Sequence, residues 1–309
     1  NLVPCILELG GKSPCVIDKT ANIKITCNKI LQARYANQGQ TCIATDYVLV
    51  HDSLKDAFIA EMKSQICNGI KDGDTTQCAA VVSRNHYERI CALLANHGGE
   101  VVHGNANAHK DMHLTSTVVL NPHDDCELMK EEIFGPILPV KTYTDFQEVI
   151  DYINRQEKPL VTYFFGDKDS KNCGRLMNET SSGSFTTNEV ILQVINYNLP
   201  FGGVGESGMG RYHGKKGFEE LSNMKSYLMR PILDYAPFNK MTFPYSEETK
   251  AQLTSPSMRP YVNSVTTRQL KSYAWRCGGI CTLIVAAVLV VVYRDQIFGN
   301  SQDDITTSV

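Results

Sequence analysis

The sequence predicts an α/β fold with a largely parallel sheet, and three observations carry that expectation. Short runs rich in β-branched and aromatic residues recur along the chain, as at 43–50, 137–140 and 160–165. Stretches with apolar residues at helical spacing lie between them. Glycine, proline and polar clusters punctuate the junctions, so strands and helices alternate, the pattern of βαβ units.

Taken in order, an apolar run from Leu2 to Leu9 reads as a strand that breaks at Gly10-Gly11. Ile23, Cys27, Ile30 and Leu31 then repeat at helical spacing, with Gly39 as the expected stop. A strand is expected over Ile43–Val50. Asp52 or Ser53 is positioned to cap a helix whose apolar face carries Leu54, Phe58, Ile59, Met62 and Ile66. After a polar turn at Lys71–Gln77, Ser83 caps a helix bearing Tyr87, Ile90, Cys91 and Leu94, ended by Gly98-Gly99. Strands follow at Glu100–His103 and Thr117–Leu120. The loop region containing His103, His109 and His113 matches no helix face and has no obvious carboxylate or thiol partner, so no metal is assigned. A strand at Ile137–Val140, a helix carrying Phe146, Val149, Ile150 and Ile153, a strand at Leu160–Phe165, a helix near Lys171–Met177 and a strand at Ser184–Thr187 complete the alternation.

Chemistry concentrates in the stretch Asn37-Gln38-Gly39-Gln40-Thr41-Cys42. A cysteine on a tight connection between two rigid elements is both fixed and reachable, as a nucleophilic thiol must be. The plainer reading is a small buried hydrophobe, the usual fate of a cysteine. Glu8, at the end of a strand-like run and before a permissive turn, can project into a cleft as a general base, or stand as a solvated strand-end carboxylate.

Four signals in order, Glu8-Leu9-Gly10-Gly11-Lys12-Ser13-Pro14, the Cys42 stretch, Glu131-Glu132-Ile133-Phe134-Gly135-Pro136 and Leu199–Gly210, resemble the aldehyde dehydrogenase superfamily. The likeness runs from residue 2 to about residue 230 and is greatest to the class 3 branch and its fatty aldehyde dehydrogenases. It implies an aldehyde dehydrogenase catalytic domain with an oligomerisation strand and a C-terminal transmembrane helix, its dinucleotide-binding domain mostly absent. By resemblance, Cys42 attacks an aldehyde to give a thiohemiacetal and then a thioester, with NAD or NADP as cofactor, and Glu8 activates the hydrolytic water. Glu132 matches the glutamate that holds the nicotinamide ribose, and Phe134 the aromatic beside the nicotinamide. Phe201 matches a residue lining the substrate tunnel, Gly214–Leu221 the final helix, and Lys225–Met229 the oligomerisation strand of a homodimer. Asn188 matches a position near the active site. The glycine-rich segment does not open a βαβ unit and is a poor phosphate cradle. Thr45 stands where relatives often carry proline. The family's side-chain oxyanion donor lies upstream of Glu8 and is not in this chain. Its phosphate- and adenosine-binding elements also lie almost wholly before that glutamate, so the chain by itself is expected to bind dinucleotide poorly.

The implied organisation is residues 1–9 as the end of a dinucleotide-binding domain, 10–211 as the catalytic domain, and 212–230 as the final helix and strand. Residues 231–275 form a proline-containing connector, 276–294 a transmembrane anchor and 295–309 a short tail. Cys277–Tyr293 contains no charged residue. As a helix its roughly 17 residues span about 25 Å, enough for a thin bilayer such as the endoplasmic reticulum membrane. Arg268, Lys271 and Arg276 precede it while Arg294 alone, followed by Asp295, Asp303 and Asp304, comes after, an excess of basic residues that places the catalytic part on the cytosolic side of a tail-anchored protein in contact with membrane lipid.

Composition agrees. A chain of 309 residues with net charge −3 shows no basic bias towards nucleic acid, and its 11 cysteines lack paired or metal-type spacing, which suits a reducing compartment. Two further readings stand beside the enzyme: a membrane-tethered inactive isoform acting through dimerisation, and an acyl-transfer enzyme using the same thiol, for which no carrier site is evident.

Overall fold

The computed structural model describes residues 3–69, 79–104, 112–229 and 246–254. Seven strands form one sheet in the order β4-β5-β6-β3-β2-β7-β8. In chain order these are β2 (Pro14–Ile17), β3 (Tyr47–His51), β4 (Glu100–His103), β5 (Thr117–Leu120), β6 (Ile137–Tyr143), β7 (Val161–Phe165) and β8 (Ser184–Thr187). Every pairing is parallel except β4 with β5, so the largely parallel sheet expected from the alternation is present. Two further strands, β1 (Leu7–Glu8) and β9 (Gly208–Met209), pair antiparallel with each other away from this sheet.

Helices cover both faces. Cys15, Ile17, Val48 and Val50 point into a core with Cys27 and Ile30 of α1 (Ile23–Tyr35) and Phe58, Met62 and Ile66 of α2 (Lys55–Gly69). The alternate residues Val16, Leu49 and Phe164 face the opposite side, against α5 (Phe146–Arg155) and α6 (Lys171–Glu179). That two-residue alternation with apolar residues in both sets is what a sheet buried on both faces requires. A third cluster packs Ile90 and Leu93 of α3 (Arg84–Leu93) against Leu128 of α4 (Glu127–Lys130), Val119 and Ile137. Ser83 caps α3 as expected, its hydroxyl accepting from His86 N–H.

Several boundaries differ from the sequence reading. The helix before the cysteine ends at Tyr35, not at Gly39, and a 3₁₀ turn, Ala36–Gly39, follows. Asn37, Gln38 and Gly39 take φ of 52°, 55° and 70°, so the chain leaves the helix through three left-handed residues. Gly39 has no substitute there: a Cβ would come within 2.4 Å of the Gly135 carbonyl oxygen. The next strand starts at Tyr47 rather than Ile43, because Ala44 N–H closes a turn onto Thr41 C=O at 2.9 Å. The helix expected from Leu54 is entered through a 3₁₀ turn, Asp52–Leu54, whose capping side chain is His51. Lys225–Met229 forms no strand, and Tyr227 and Leu228 are 80% and 91% exposed. A strand needs a neighbouring strand to pair its backbone groups.

Two short helices had no periodic signal, α4 and α7 (Leu192–Ile195), while the final helix appears as α8 (Gly214–Glu220). The chain divides into units 1–225 and 226–309, and the second contributes one described helix, α9 (Glu247–Thr254). The polar turn at 71–77, His109, most of the connector, the apolar run Cys277–Tyr293 and the tail lie outside the described residues. Among the described residues no helix is long and apolar enough to cross a membrane, and no group of His, Cys, Asp and Glu is placed to hold a metal ion.

Candidate active site

Three segments that precede parallel strands meet at the amino ends of β2, β3 and β6: residues 8–13, 41–46 and 131–136. The turn between α1 and β3 puts Cys42 half-buried at this crevice. Burial pushes its thiol upward, the negative charges of Glu8 and Glu132 add to that, and the backbone N–H groups of Cys42 and Ile43 pull the other way. Those two N–H groups are the built-in donors for negative charge on or beside the sulfur.

Glu8 is exposed on β1 and accepts a 3.1 Å hydrogen bond from Tyr212 Oη. Burial and the neighbouring Glu8 carboxylate push the Tyr212 hydroxyl up to about 12, so it remains a donor. Glu132 lies over Gly10, where any Cβ would stand 2.6 Å from Oε2, and accepts from Gly11 N–H. Burial, then the charge of Asp46, pushes Glu132 up to about 7 against the pull of that bond, Arg34 and Lys12. Phe134, at φ 50°, presents its ring to the edge of His86 at 5.8 Å. Arg89 of α3 holds the same segment through the carbonyls of Glu132 (3.3 Å) and Ile133 (2.5 Å).

The structure therefore brings Glu8 and Glu132 within electrostatic reach of Cys42, with Phe134 two residues beyond Glu132. Phe201 is 2% exposed and packs in the cluster that Cys42 borders, against the rings of Tyr212 (5.7 Å) and His213 (5.8 Å). The glycine-rich segment folds back on itself, with Phe201 and Tyr212 exchanging backbone hydrogen bonds. A Cβ at Gly203 would stand 2.0 Å from the Ser207 carbonyl oxygen, so its glycines serve close backbone approach. Asn188 clamps Gly166, accepting from its N–H at 2.9 Å and donating to its C=O at 2.8 Å. Thr45 is fully buried, with its carbonyl accepting from Arg34.

Sequence reading missed the supports. Lys12 Nζ donates to Asp46 (2.6 Å) and to the carbonyls of Leu128 and Glu131; Arg34 donates to Asp46, Thr45 and Ile137. Asp46 also accepts from Ile133 N–H at 3.1 Å. One signal was present: Arg34 continues the apolar stripe Cys27–Ile30, and a charge on a buried face implies a buried partner. Tyr212 gave no signal, since its partner Glu8 is 204 residues away.

The Glu132 shift predicts a pH-dependent stability. Its carboxyl binds a proton more tightly folded than unfolded, so its ionisation costs stability as pH rises from about 4.5 to about 7. Glu132→Gln is expected to raise urea-unfolding stability at pH 8 by on the order of 2–3 kcal/mol and to change little at pH 4. Equal effects at both pH values would refute the assignment.

The family model described as the aldehyde dehydrogenase family matches residues 1–227. The chain is 40% identical over 232 residues to 4,4'-diaponeurosporen-aldehyde dehydrogenase of Staphylococcus aureus, covering 74% of this chain and 50% of that protein. It is 37% identical to the dimeric NADP-preferring aldehyde dehydrogenase of Canis lupus familiaris (76% and 51% covered) and 33% to aldehyde dehydrogenase family 3 member A2 of Mus musculus (96% and 59%). The solved structure of the substrate-bound state of Staphylococcus aureus AldH superposes with a TM-score of 0.69 at 38% identity, covering 74% of this chain and 51% of that one. The chain spans about half the length of these curated relatives.

Proposed function

The chain belongs to the aldehyde dehydrogenase family, and on that premise we propose that it is the catalytic half of an NAD(P)-dependent enzyme oxidising long-chain aldehydes to acids. The observation that carries the reading is the meeting of a thiol, two carboxylates and two backbone N–H donors at one crevice.

Cys42 adds as thiolate to the aldehyde carbon, forming a C–S bond, and its own N–H donates to the resulting alkoxide. Removing such a donor typically costs roughly 2.7–4 kcal/mol of barrier. A bound nicotinamide dinucleotide supplies the hydride acceptor, and Glu132 with Phe134 would hold its nicotinamide end. The carboxylate seated on Gly10 is an acceptor suited to ribose hydroxyls, and this role needs its ionised form. Oxidation leaves an acyl group on Cys42 as a thioester. Glu8 takes a proton from the water that hydrolyses it, releasing the acid and restoring the thiol.

Apolar substrate is supported by the segment beside Cys42, where Leu192, Ile195, Tyr197 and Leu199 are all at least 46% exposed. The likeness to the mouse relative spans 299 residues and so continues past the family match into the C-terminal region. With the uncharged run Cys277–Tyr293, this supports a tail-anchored protein whose catalytic part faces the cytosol, at the endoplasmic reticulum membrane; the likeness to a relative named dimeric supports a homodimer.

The test is NAD(P)H formation with a long-chain aldehyde, comparing this chain with the same chain joined to an upstream dinucleotide-binding half. Turnover is expected only in the longer protein. Cofactor binding without turnover there would sink the enzyme reading and leave the membrane-tethered inactive isoform.

A further inference from the structure

Beside the nucleophile turn lies a strained element that the chemistry above does not use. Ile191 has φ 65° and ψ −36°, and Leu192 N–H bonds back to Val190 C=O at 2.6 Å across it. This is a γ-turn of the rare positive-φ kind, centred on a β-branched residue, where the backbone cost is largest. The surrounding structure must hold it. Glu189 does so on one side, accepting from Val190 N–H through Oε1 while Oε2 pairs with Lys29 of α1 at 2.7 Å.

On the other side stands the Tyr163 hydroxyl, from a fully buried side chain on β7. It accepts from Ile191 N–H (3.3 Å) and Gln193 Nε2 (3.1 Å) and donates to Ile43 C=O (2.7 Å). One donor and two acceptor sites are all a tyrosine hydroxyl has, and all three are engaged. Ile43 C=O belongs to the turn that aims the Cys42 and Ile43 N–H groups at the sulfur.

We propose that Tyr163 is a positioning residue whose hydroxyl couples the strained turn at Ile191 to the Cys42 turn and so fixes the donors that face the thiol. The aldehyde's apolar chain, lying along residues 190–199, would therefore meet a segment mechanically tied to the nucleophile. The proposal takes Cys42 as the working thiol, as proposed above. The two fail separately, because this coupling is read without turnover.

The experiment follows alkylation of Cys42 by iodoacetamide against pH in the intact chain, resolved from the other cysteines by peptide mass spectrometry. Tyr163→Phe is expected to slow Cys42 alkylation at pH 8 by about three- to tenfold and to move its profile to higher pH. Tyr143→Phe is the matched control: it deletes another buried hydroxyl, the donor to Ile17 C=O at 3.1 Å, and is expected to lower stability similarly while leaving the Cys42 profile in place. Gln193→Leu, which removes one partner and keeps the hydroxyl, is expected to give a smaller shift in the same direction, and it carries the test if Tyr163→Phe does not fold. An unchanged Cys42 profile in a folded Tyr163→Phe, or in Gln193→Leu alone where the first does not fold, overturns the coupling. So does an equal shift in Tyr143→Phe.

Discussion

Cys42→Ser, in the chain joined to an upstream dinucleotide-binding half, is expected to lower kcat/KM for aldehyde oxidation by about 10⁴-fold or more. Serine keeps the size of the side chain and the turn around it, so the loss reports the nucleophile rather than the fold. A serine hydroxyl ionises far less readily than a thiol, so almost none of it is present as the nucleophilic anion. Glu8→Gln should behave differently. The thiol remains, so one equivalent of NAD(P)H per site is expected in a burst, followed by turnover slowed by roughly 10²–10⁴-fold as the thioester waits for an activated water. Rapid-mixing absorbance at the nicotinamide band separates the two. Substantial turnover in Cys42→Ser would remove the thiol from the chemistry, and loss of the burst in Glu8→Gln would move Glu8 from hydrolysis to the first step.

Much of this arrangement was legible in the sequence, for physical reasons that also mark where legibility stops. Strands such as Glu100–His103, Thr117–Leu120 and Ser184–Thr187 were bounded by turn-forming residues, and their ends agree with the structure. Ile43 and Ala44 were misplaced in a strand because a buried turn is as apolar as a buried strand, and only a hydrogen bond between Ala44 and Thr41 distinguishes them. Cys42 and Glu8 could be nominated from position, and Glu132, Phe134 and Phe201 from family likeness. Their supports could not, since each depends on contacts across the chain. Tyr163 on an apolar strand reads as core, and its partner Ile43 is 120 residues away. The strand at Lys225–Met229 was implied by family likeness alone, since only Tyr227 among its residues is a strong strand former.

Asp46→Asn is expected to cost about 3–5 kcal/mol of stability, the range for removing one partner of a buried ion pair. Asp46 is 2% exposed, Arg34 fully buried and Lys12 9% exposed, so little water reaches the two cations when the carboxylate charge is gone. The loss should depend on pH. Burial already pulls the Lys12 ammonium below its ordinary value of 10.5, with Asp46 opposing the fall. Without that charge the depression deepens, so the folded variant binds fewer protons than the unfolded chain and gains stability as pH rises towards 10.5. Urea unfolding at pH 6 and pH 9 checks this, and a variant equally damaged at both would show that lost hydrogen bonds, not uncompensated charge, are responsible. Replacing all three residues by apolar ones should not restore stability. The two cations also satisfy the carbonyls of Leu128, Glu131, Thr45 and Ile137, and Asp46 satisfies Ile133 N–H. Those backbone groups would be left buried without partners. They belong to the segments that carry Glu132 and Cys42, so the same network that stabilises the fold also holds the Cys42 thiol and the Glu132 carboxylate in register.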